Sequence, residues 1–452
     1  MPSSQQIGIA VAGLNGRGQS LIKAFASIPD CTVLHLVDPD ARTVPSQLEY
    51  LKLNGFPEPR VSVDVREALL DPNVIALAVA TPNHWHALMT LWACQAGRDV
   101  FVEKPCSHTL HEGTLQVQAR KATKRNVHVG AQRRSMGCYR AAIRFIESGQ
   151  AGRVLSAHAY CYRRRTSIGF QPAEPPPKEL DFDIWLGPAP VIPYHRNLTS
   201  GNWHWFPEFG NGECGAQGIH QLDVARWGLG DPTHPKRVVT VGGRFSFFDQ
   251  GYTPNTLLAY LDYGRTGITF EVRGLPTEPF PGWIPSFANL GRMVGNAFYL
   301  EDGVLVDNVF FKKDGTIHYI PSDDAALDSV SGTGPFVNFV KAIRGETAPD
   351  CDIQQGHLSA SLIHLIQISL ERGTDIVLAD FLRSDMPAGL EEAGERLKKH
   401  LIEANLDPTC ELVRIGRELH FIPEEERFVN DPASDMLLSK TPRMGFELAN
   451  LV

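Results

Sequence analysis

Short apolar runs, separated by polar segments at regular intervals, fill the first 135 residues of the chain. The runs lie at Ile7–Ala12, Thr32–Val37, Val74–Ala80, Val100–Val102 and Val127–Gly130. Because they are continuously apolar instead of alternating, they predict strands that are buried on both faces. The segments between them have helical periodicity. Strands that alternate with helices in this way predict a doubly wound parallel sheet.

After about residue 135 the pattern changes to alternating apolar and polar positions, which predicts antiparallel strands. These runs are Leu155–Tyr162, Val238–Phe248, Thr256–Tyr263, Gly267–Arg273 and Gly303–Phe311. Helices are predicted at about 353–372 and 390–403, and a strand at 411–421. We therefore divide the chain into a first domain (1–135), a second domain (136–380) and an extension (381–452). We expect the extension to pack on the first domain, with a subunit contact or a lid as the functional alternative.

Composition and charge narrow the class of protein. The 452 residues are 43% hydrophobic and 21% charged, and the formal net charge is −8. This balance argues against nucleic acid and anionic membranes as partners. We see no signal peptide and no apolar run of membrane-spanning length. The eight cysteines form no C-x-x-C pair, which favours reduced thiols and a cytoplasmic location.

A glycine-rich turn, Gly13-Leu14-Asn15-Gly16-Arg17-Gly18, follows the first strand and precedes a helix predicted to reach about Ala26. Strand, glycine turn and helix is the context of a dinucleotide fingerprint, because glycines let backbone N–H groups approach a pyrophosphate. The spacing departs from the usual fingerprint, since Asn15 occupies the second glycine position. The turn predicts cofactor contacts from Gly13, Asn15, Gly16, Arg17 and Gly18.

Asp38 ends the second predicted strand, about twenty residues beyond the turn, as the fingerprint requires. A carboxylate there accepts hydrogen bonds from ribose hydroxyls and repels a 2′-phosphate, so it favours NAD over NADP. The structural alternative is a turn-forming aspartate before Pro39. Arg42 is the residue that would favour NADP.

Polar side chains also follow the next three strands. Thr81, Asn83 and His86 follow the third, Glu103 and Lys104 the fourth, and Gln132 and Arg133 the fifth. Ligands bind outside the carboxyl ends of strands in open α/β sheets. A partly desolvated lysine at this rim can have a pKa low enough for proton transfer. A solvated lysine paired with Glu103 is the structural alternative, and Asn83 is predicted to cap its helix.

The glycine turn, Asp38, Thr81-Pro82-Asn83 with His86, and above all Glu103-Lys104-Pro105 resemble the Gfo/Idh/MocA oxidoreductase family. The resemblance spans about residues 6–380. It implies a Rossmann domain followed by a domain with an open, mainly antiparallel sheet. It also implies NAD or NADP used to oxidise or reduce a carbinol carbon, usually of a sugar or polyol.

A helix predicted over Ala216–Leu229 places Gln217, His220 and Asp223 one turn apart from each other. Many dehydrogenases of this family have a histidine that matches His220 and an aspartate four residues before it, both used in catalysis or substrate binding. Here that aspartate position is Ala216. We therefore transfer a catalytic role to His220 alone.

Other candidates carry weaker signals. Arg133, Tyr162 and Gln217 are predicted substrate contacts. The spacing of His204, Glu208, Cys214 and His220 matches no compact ligand pattern, so no metal is predicted. Three aromatic residues suit either a wall against a sugar ring or ordinary core: Trp203, Trp205 and Phe206.

Three functional hypotheses follow. In the first, an NAD-dependent oxidoreductase uses Lys104 as acid and base and His220 to orient or share the proton. In the second, transient oxidation drives elimination of a glycosidic substituent without net redox change. The third is a non-catalytic sensor of dinucleotide or sugar, against which Lys104 and His220 count. We expect a homodimer or homotetramer with a small carbohydrate substrate.

Overall fold

The computed structural model describes residues 6–278, 293–322 and 334–448. Within them, a first sheet has strand order β3-β2-β1-β4-β5-β6, with every pair parallel. Its strands are β1 (Ile7–Ala12), β2 (Cys31–Val37), β3 (Arg60–Ser62), β4 (Val74–Val79), β5 (Asp99–Val102) and β6 (Val127–Val129). Its helices are α1 (Arg17–Ser27), α2 (Val44–Leu53), α3 (Val65–Leu69), α4 (Asn83–Gln95) and α5 (Leu110–Thr123). The predicted doubly wound sheet is confirmed.

The chain order reverses between β1 and β4, which lie side by side in this sheet. Loops on the two sides of such a switch point diverge and leave a crevice at the carboxyl ends of the strands. The residues after β1, β4 and β5 therefore face one opening. Their strands are almost wholly buried, which agrees with their continuous apolar sequence.

The second sheet has the order β14-β13-β12-β11-β7-β10-β9-β8-β16-β15 among the described residues, and β17 also pairs with β8. All its pairs are antiparallel except β7 with β10. Its first six strands are β7 (Val154–Tyr162), β8 (Arg237–Gly243), β9 (Thr256–Asp262), β10 (Gly267–Arg273), β11 (Val294–Leu300) and β12 (Gly303–Val306). The later ones are β13 (Val309–Lys312), β14 (Ile317–Tyr319), β15 (Thr374–Val377), β16 (Leu412–Ile415), β17 (Leu419–Ile422) and β18 (Arg427–Phe428).

Two predicted strands are each a pair of shorter strands in the structure. The run from Gly303 to Phe311 folds back as β12 and β13, because Asp307 adopts a positive φ of 48° and turns the chain. The run at 411–421 likewise divides into β16 and β17. The strand predicted to reach Phe248 ends at Gly243. Apolar content alone does not reveal such tight turns.

The remaining helices surround the second sheet and complete the first domain. They are α6 (Gly137–Glu147), α7 (Phe182–Leu186), α8 (Arg196–Thr199), α9 (Ile219–Gly228), α10 (Gly334–Ile343), α11 (Ile353–Glu371), α12 (Leu378–Arg383), α13 (Glu391–Glu403) and α14 (Pro432–Asp435). Apolar residues of α9 and α11 pack on one face of the sheet. Phe336 and Phe339 of α10 pack against Phe25 and Phe101 of the first domain.

The extension packs mainly on the second domain, so the expectation that it packs on the first is wrong for most of its length. Leu390, Leu397 and Leu401 share a buried cluster with Val239 and Val241 of β8. The strand β16 also joins the sheet through β8. The reason is that β8 presents an apolar face and a free edge that these segments cover.

The end of the described extension also reaches the first domain. The Phe446 ring lies 5.6 Å from Trp85 and 6.5 Å from Trp92, both on α4. Arg443 donates to the main-chain oxygen of Gly187 at 2.9 Å and holds this end in place. Within the part of the chain that the structure describes, none of the helices has the length and apolar character needed to cross a bilayer.

Candidate cofactor and substrate site

A cavity of about 710 Å³ opens at the carboxyl ends of β1, β4 and β5. The glycine turn and the loops after β2 and β3 form one end of it. The segments 199–204 and 215–220 of the second domain form the opposite wall. Most predicted site residues line this cavity: Gly13, Asn15, Gly16, Arg17, Asp38, Thr81, Asn83, His86, Glu103, Lys104, Gln132, Gln217 and His220.

The three glycines of the turn have different tasks. A Cβ on Gly13 would lie 2.6 Å from the Ala80 oxygen, and one on Gly18 would lie 1.8 Å from the Gly13 oxygen. These two positions therefore let the turn pack closely on β4 and on α1. Gly16, with φ of 50°, has no atom within 4 Å of its Cβ position and leaves the cavity open. Gly18 does not line the cavity, so its role is in the packing of the turn.

Carboxylates surround the end of the cavity beyond β2. Asp38, Asp40 and Asp64 line it. Asp38 accepts from the Leu14 amide at 2.8 Å and from the Asp40 amide at 2.9 Å. Burial raises the pKa of Asp38 above its ordinary value, although these two amides oppose the shift. Asp38 thus braces the glycine turn as well as facing the cavity.

Arg42, the residue that would favour NADP, is bound to a neighbouring carboxylate. Its Nε and Nη2 atoms donate to the two oxygens of Asp40 at 2.7 and 2.6 Å. This bidentate pair satisfies the guanidinium and neutralises its charge. A 2′-phosphate at this end would therefore meet acidic side chains without a free cation from Arg42.

Glu103 binds two other predicted cofactor residues at the far end of the turn. It accepts from Arg17 Nε at 2.6 Å and from Gln132 at 3.1 Å. Gly130 makes room for this carboxylate, since a Cβ there would lie 2.9 Å from it. The buried Glu103 therefore fixes Arg17 at the rim, where the arginine side chain as a whole is 31% exposed.

His86 ties together the loops that follow β4 and β5. Its ring nitrogens lie 2.8 Å from the Thr81 oxygen and 2.6 Å from the Pro105 oxygen. Burial lowers the pKa of His86. Asn83 is not the helix cap, which is Pro82. Its amide instead donates to Asn211 at 3.0 Å and joins α4 to the second domain.

Lys104 reaches across the cavity to the second domain. Its Nζ donates to the main-chain oxygen of Ala216 at 2.8 Å. Burial lowers the pKa of Lys104, and the charge of Glu103 partly offsets this effect. The side chain is half-buried and still lines the cavity, so a bound molecule can reach it.

The segment that receives this hydrogen bond is a π-helix, Cys214–Gly218, which precedes α9. The α-helix predicted from Ala216 therefore begins only at Ile219. Two glycines lie in this turn, and a Cβ on Gly218 would lie 2.4 Å from the Phe270 ring. π turns are rare and often mark functional sites.

His220 lines the cavity without a carboxylate partner among the described residues. Asp223 accepts from Arg134 at 2.9 Å and from Ser359 at 2.6 Å instead. Glu213 is bound by Arg165 at 2.7 Å. Burial, followed by the charge of Lys104, lowers the pKa of His220 well below its ordinary value. This shift favours the neutral imidazole, which can accept a proton at a ring nitrogen.

The three predicted substrate contacts have different fates. Gln217 lines the cavity, and its oxygen accepts from Arg163 at 3.1 Å. Arg133 does not line the cavity, and its guanidinium lies 4.9 Å from the centre of the Tyr139 ring. Tyr162 is outside the site, because alternation along β7 turns it to the opposite sheet face, where it donates to Glu271 at 2.8 Å.

Of the aromatic candidates, Trp203 lines the cavity, whereas Trp205 and Phe206 are buried in the core. His204 also lines the cavity, but Cys214 is buried away from it, and the described residues show no ligand group around this pair. The sequence analysis missed several lining residues: Asp40, Asp64, Thr199, Ser200 and Gly201. The polar run before Trp203 was the available signal for the last three.

The cavity fits a dinucleotide. Thr81 Oγ1 and Arg17 Nη2 are buried beside it and have no hydrogen-bond partner among the described residues. Gly16 leaves open space at the helix N-terminus, where phosphate groups bind readily. The acidic end suits ribose hydroxyls. Donors, space and charge are thus arranged for NAD along one side of the cavity, with Lys104 and His220 on the other.

Comparisons with known proteins agree with this geometry. Residues 7–131 match the Gfo/Idh/MocA family model described as "Oxidoreductase family, NAD-binding Rossmann fold". Residues 160–244 match the model of the family's C-terminal alpha/beta domain. The predicted NAD cofactor is therefore confirmed at the level of the family model.

Similarity to individual proteins covers shorter stretches. A scyllo-inositol 2-dehydrogenase (NAD(+)) of Bacillus subtilis is 30% identical over 149 residues, 33% of this chain and 42% of that protein. A glycosyl hydrolase family 109 protein of Shewanella pealeana is 22% identical over 130 residues, 28% of each chain. The chain thus matches less than half the length of these relatives.

Among solved structures, the WlbA dehydrogenase from Bordetella pertussis, in complex with NADH and UDP-GlcNAcA, superposes with a TM-score of 0.59. It is 18% identical, and the match covers 80% of this chain and 96% of that one. This likeness supports the two-domain fold. The two family models match a part of each domain, and over these parts the chain is similar to the Gfo/Idh/MocA oxidoreductases.

Proposed function

We propose that the protein is an NAD-dependent oxidoreductase that acts on a carbinol carbon of a sugar, polyol or derivative. The observation that supports this proposal most is the position of Lys104. Its side chain lines the cavity, and its Nζ donates to the main-chain oxygen of Ala216 on the opposite wall. The named activity of the inositol dehydrogenase relative supports the same substrate class.

Lys104 would exchange the proton of the substrate hydroxyl. NAD, when bound, supplies the hydride acceptor for the carbon that bears this hydroxyl. Because burial lowers its pKa, Lys104 loses its own proton at a lower pH than a solvated lysine, so more of it is in the neutral form that can accept the substrate proton. The Ala216 oxygen holds Nζ at the cavity wall while it does so.

The wall opposite the glycine turn would hold the sugar. Trp203 supplies an apolar ring face, and Gln217 and Ser200 supply polar groups. A flat ring face beside a few hydrogen-bonding groups is the usual composition of a small-molecule site. His220 would contact the substrate beside Lys104.

One observation also favours a second function, redox-neutral cleavage of a glycoside. His220 has no carboxylate to stabilise its protonated form, because Asp223 and Glu213 are bound by arginines. Without that support, His220 is poorly suited to pass on the hydroxyl proton during net oxidation. It can still remove a proton from a carbon beside a ketone. The similarity to a glycosyl hydrolase family 109 protein supports this candidate.

In this second function the sugar carbinol is first oxidised to a ketone by loss of a proton and a hydride. His220 then removes a proton from the carbon beside the ketone, which the carbonyl has made acidic. The glycosidic substituent leaves with its bonding electrons, and water adds to the resulting double bond. The ketone finally regains the proton and the hydride, so the net change is hydrolysis.

The test mixes the protein with NAD and a panel of free sugars and glycosides, and follows both NADH absorbance and released aglycone. NADH formed in proportion to a keto-sugar supports the dehydrogenase. Aglycone released over many turnovers without net NADH supports the second function. If the protein binds NAD but forms neither NADH nor free aglycone across the panel, both enzymatic functions are contradicted. A non-catalytic binding protein would then be the remaining hypothesis.

A further inference from the structure

A group of three metal-ligand side chains lies outside the cavity. His234 precedes β8, His357 is on α11, and Glu426 is in the turn between β17 and β18. Among the described residues, one ligand atom from each of the three lies within 4.8 Å of the others. Nε2 of His234 and Nε2 of His357 lie 2.9 and 2.8 Å from the same oxygen of Glu426.

The surroundings of His234 set its tautomer. Its Nδ1 lies 2.9 Å from the hydroxyl of Ser361, and that hydroxyl donates its hydrogen to the Leu358 oxygen at 2.8 Å. With its hydrogen on the Leu358 oxygen, Ser361 accepts a hydrogen from Nδ1. A neutral His234 then directs the lone pair of Nε2 at the carboxylate of Glu426, and two acceptors 2.9 Å apart repel each other.

The side chain of His234 is only 2% exposed, so its Nε2 faces the carboxylate of Glu426 instead of water. A metal ion between the two groups would accept a lone pair from each and remove this repulsion. An imidazole whose other nitrogen is fixed by a hydrogen bond is the usual arrangement around a bound metal.

The cluster is also closely built. Thr114 donates to the second oxygen of Glu426 at 2.5 Å, which orients the carboxylate. Glu426 itself has a positive φ of 49°, a conformation uncommon for residues other than glycine. The ring of His357 fits only because residue 113 is glycine, since a Cβ there would lie 2.2 Å from Nδ1.

We propose that His234, His357 and Glu426 bind a divalent transition-metal ion, zinc first among them. Two imidazoles and a carboxylate, with water in the fourth position, form a known zinc ligand set. Zinc–ligand bonds of about 2.0–2.1 Å place tetrahedral ligands roughly 3.3 Å apart, so the three atoms need to separate only slightly. None of the three residues lines the cavity, and the ion would join the extension to α5 and α11.

The first test is the metal content of the full-length protein, purified without a polyhistidine tag and measured by mass spectrometry of the elements. We expect roughly one zinc ion per chain, or one Co²⁺ per chain with visible d–d bands after chelation and reloading. Wild-type protein that neither retains a metal nor binds Zn²⁺ or Co²⁺ stoichiometrically would overturn the proposal.

The second test uses neighbouring substitutions. Glu426→Gln removes the charged ligand, and Glu425→Gln is the matched control, because Glu425 lies in the same turn and pairs only with Arg427 among the described residues. We expect Glu426→Gln to bind zinc at least roughly tenfold more weakly, and the control to bind like wild type. A chelator should lower the melting temperature of the wild type and of the control, but not that of Glu426→Gln. Equal metal binding in all three proteins would contradict the site.

Discussion

The Nζ atom of Lys104 donates to the main-chain oxygen of Ala216 at 2.8 Å, so a lysine of the first domain is positioned by the backbone of the second. The resemblance to the Gfo/Idh/MocA family implies an aspartate at position 216, where this chain has alanine. The partner of the lysine here is the neutral main-chain carbonyl of that alanine. The lysine is held in position without a charge that would strongly favour its protonated form.

Lys104→Met should abolish turnover while NAD affinity stays nearly unchanged, because the lysine acts on the substrate hydroxyl. Loss of a positioned acid–base group costs about 100- to 10,000-fold in rate. Steady-state kinetics and NAD calorimetry measure the two effects, and Lys121→Met, on the exposed side of α5, is the control. Near-normal turnover of Lys104→Met would show that this lysine is structural.

Asp38→Ala should narrow the preference for NAD over NADP, because it removes a ribose acceptor and a charge that repels a 2′-phosphate. It should also lower the affinity for both cofactors, since Asp38 accepts a hydrogen bond from the Leu14 amide and holds the glycine turn in place. Asp40→Asn should raise NADP affinity by releasing Arg42. Calorimetry with both cofactors measures these changes, and a wild-type preference for NADP would contradict the assignment.

The rate of substrate oxidation should rise with pH as Lys104 loses its proton. Burial lowers the pKa of Lys104 from 10.5, so the neutral base appears at a lower pH than for a free lysine. The pKa of His220 lies well below 6.5, so no further step is expected near that pH. The profile of kcat/KM against pH measures both, and a step that persists in Lys104→Arg would have another origin.

Ala216→Asp should favour net oxidation. A carboxylate at this position would stabilise the protonated forms of Lys104 and His220 and raise both pKa values. The ratio of NADH formed to aglycone released should therefore increase, and the pH profile should move to higher pH. Ala216→Asn, which has similar size and no charge, is the control. An equal ratio in both variants would remove the electrostatic explanation.

Phe446→Ala should destabilise the protein, because the ring is 8% exposed and packs on Trp85 and Trp92. Large-to-small changes of a buried phenylalanine cost about 3–5 kcal/mol in the free energy of unfolding. Trp85 also lines the cavity, so NAD affinity should fall as well. Met444→Ala, at a position 89% exposed, should change neither quantity in chemical denaturation and calorimetry.

The sequence predicted the first sheet and its rim well, because each strand there is a continuous apolar run and each functional side chain follows a strand end. Glu103, Lys104 and Asp38 all lie at the cavity for this reason. Tyr162 was placed wrongly because the sheet face of a residue depends on register, which a single alternating run does not fix.

The wall of the cavity and the metal-ligand cluster were less accessible to sequence reasoning. His234, His357 and Glu426 are far apart in the chain, and only packing of the extension on α11 brings them together. Ser200 and Gly201 reach the cavity through an irregular loop without periodicity. The ion pair of Asp223 with Arg134 is likewise a tertiary contact that no local sequence pattern predicts.

The π turn at Cys214–Gly218 affects how this chain should be aligned with its relatives. A π turn holds one residue more than an α-helical turn. The residue four positions before His220 therefore does not occupy the same place in this π turn as it would in a regular α-helix. A shift by one position would bring Gly215 into the comparison, where a Cβ would lie 2.7 Å from Asn211. Neither Gly215 nor Ala216 carries a carboxylate, so this stretch of the cavity wall is uncharged under either way of counting.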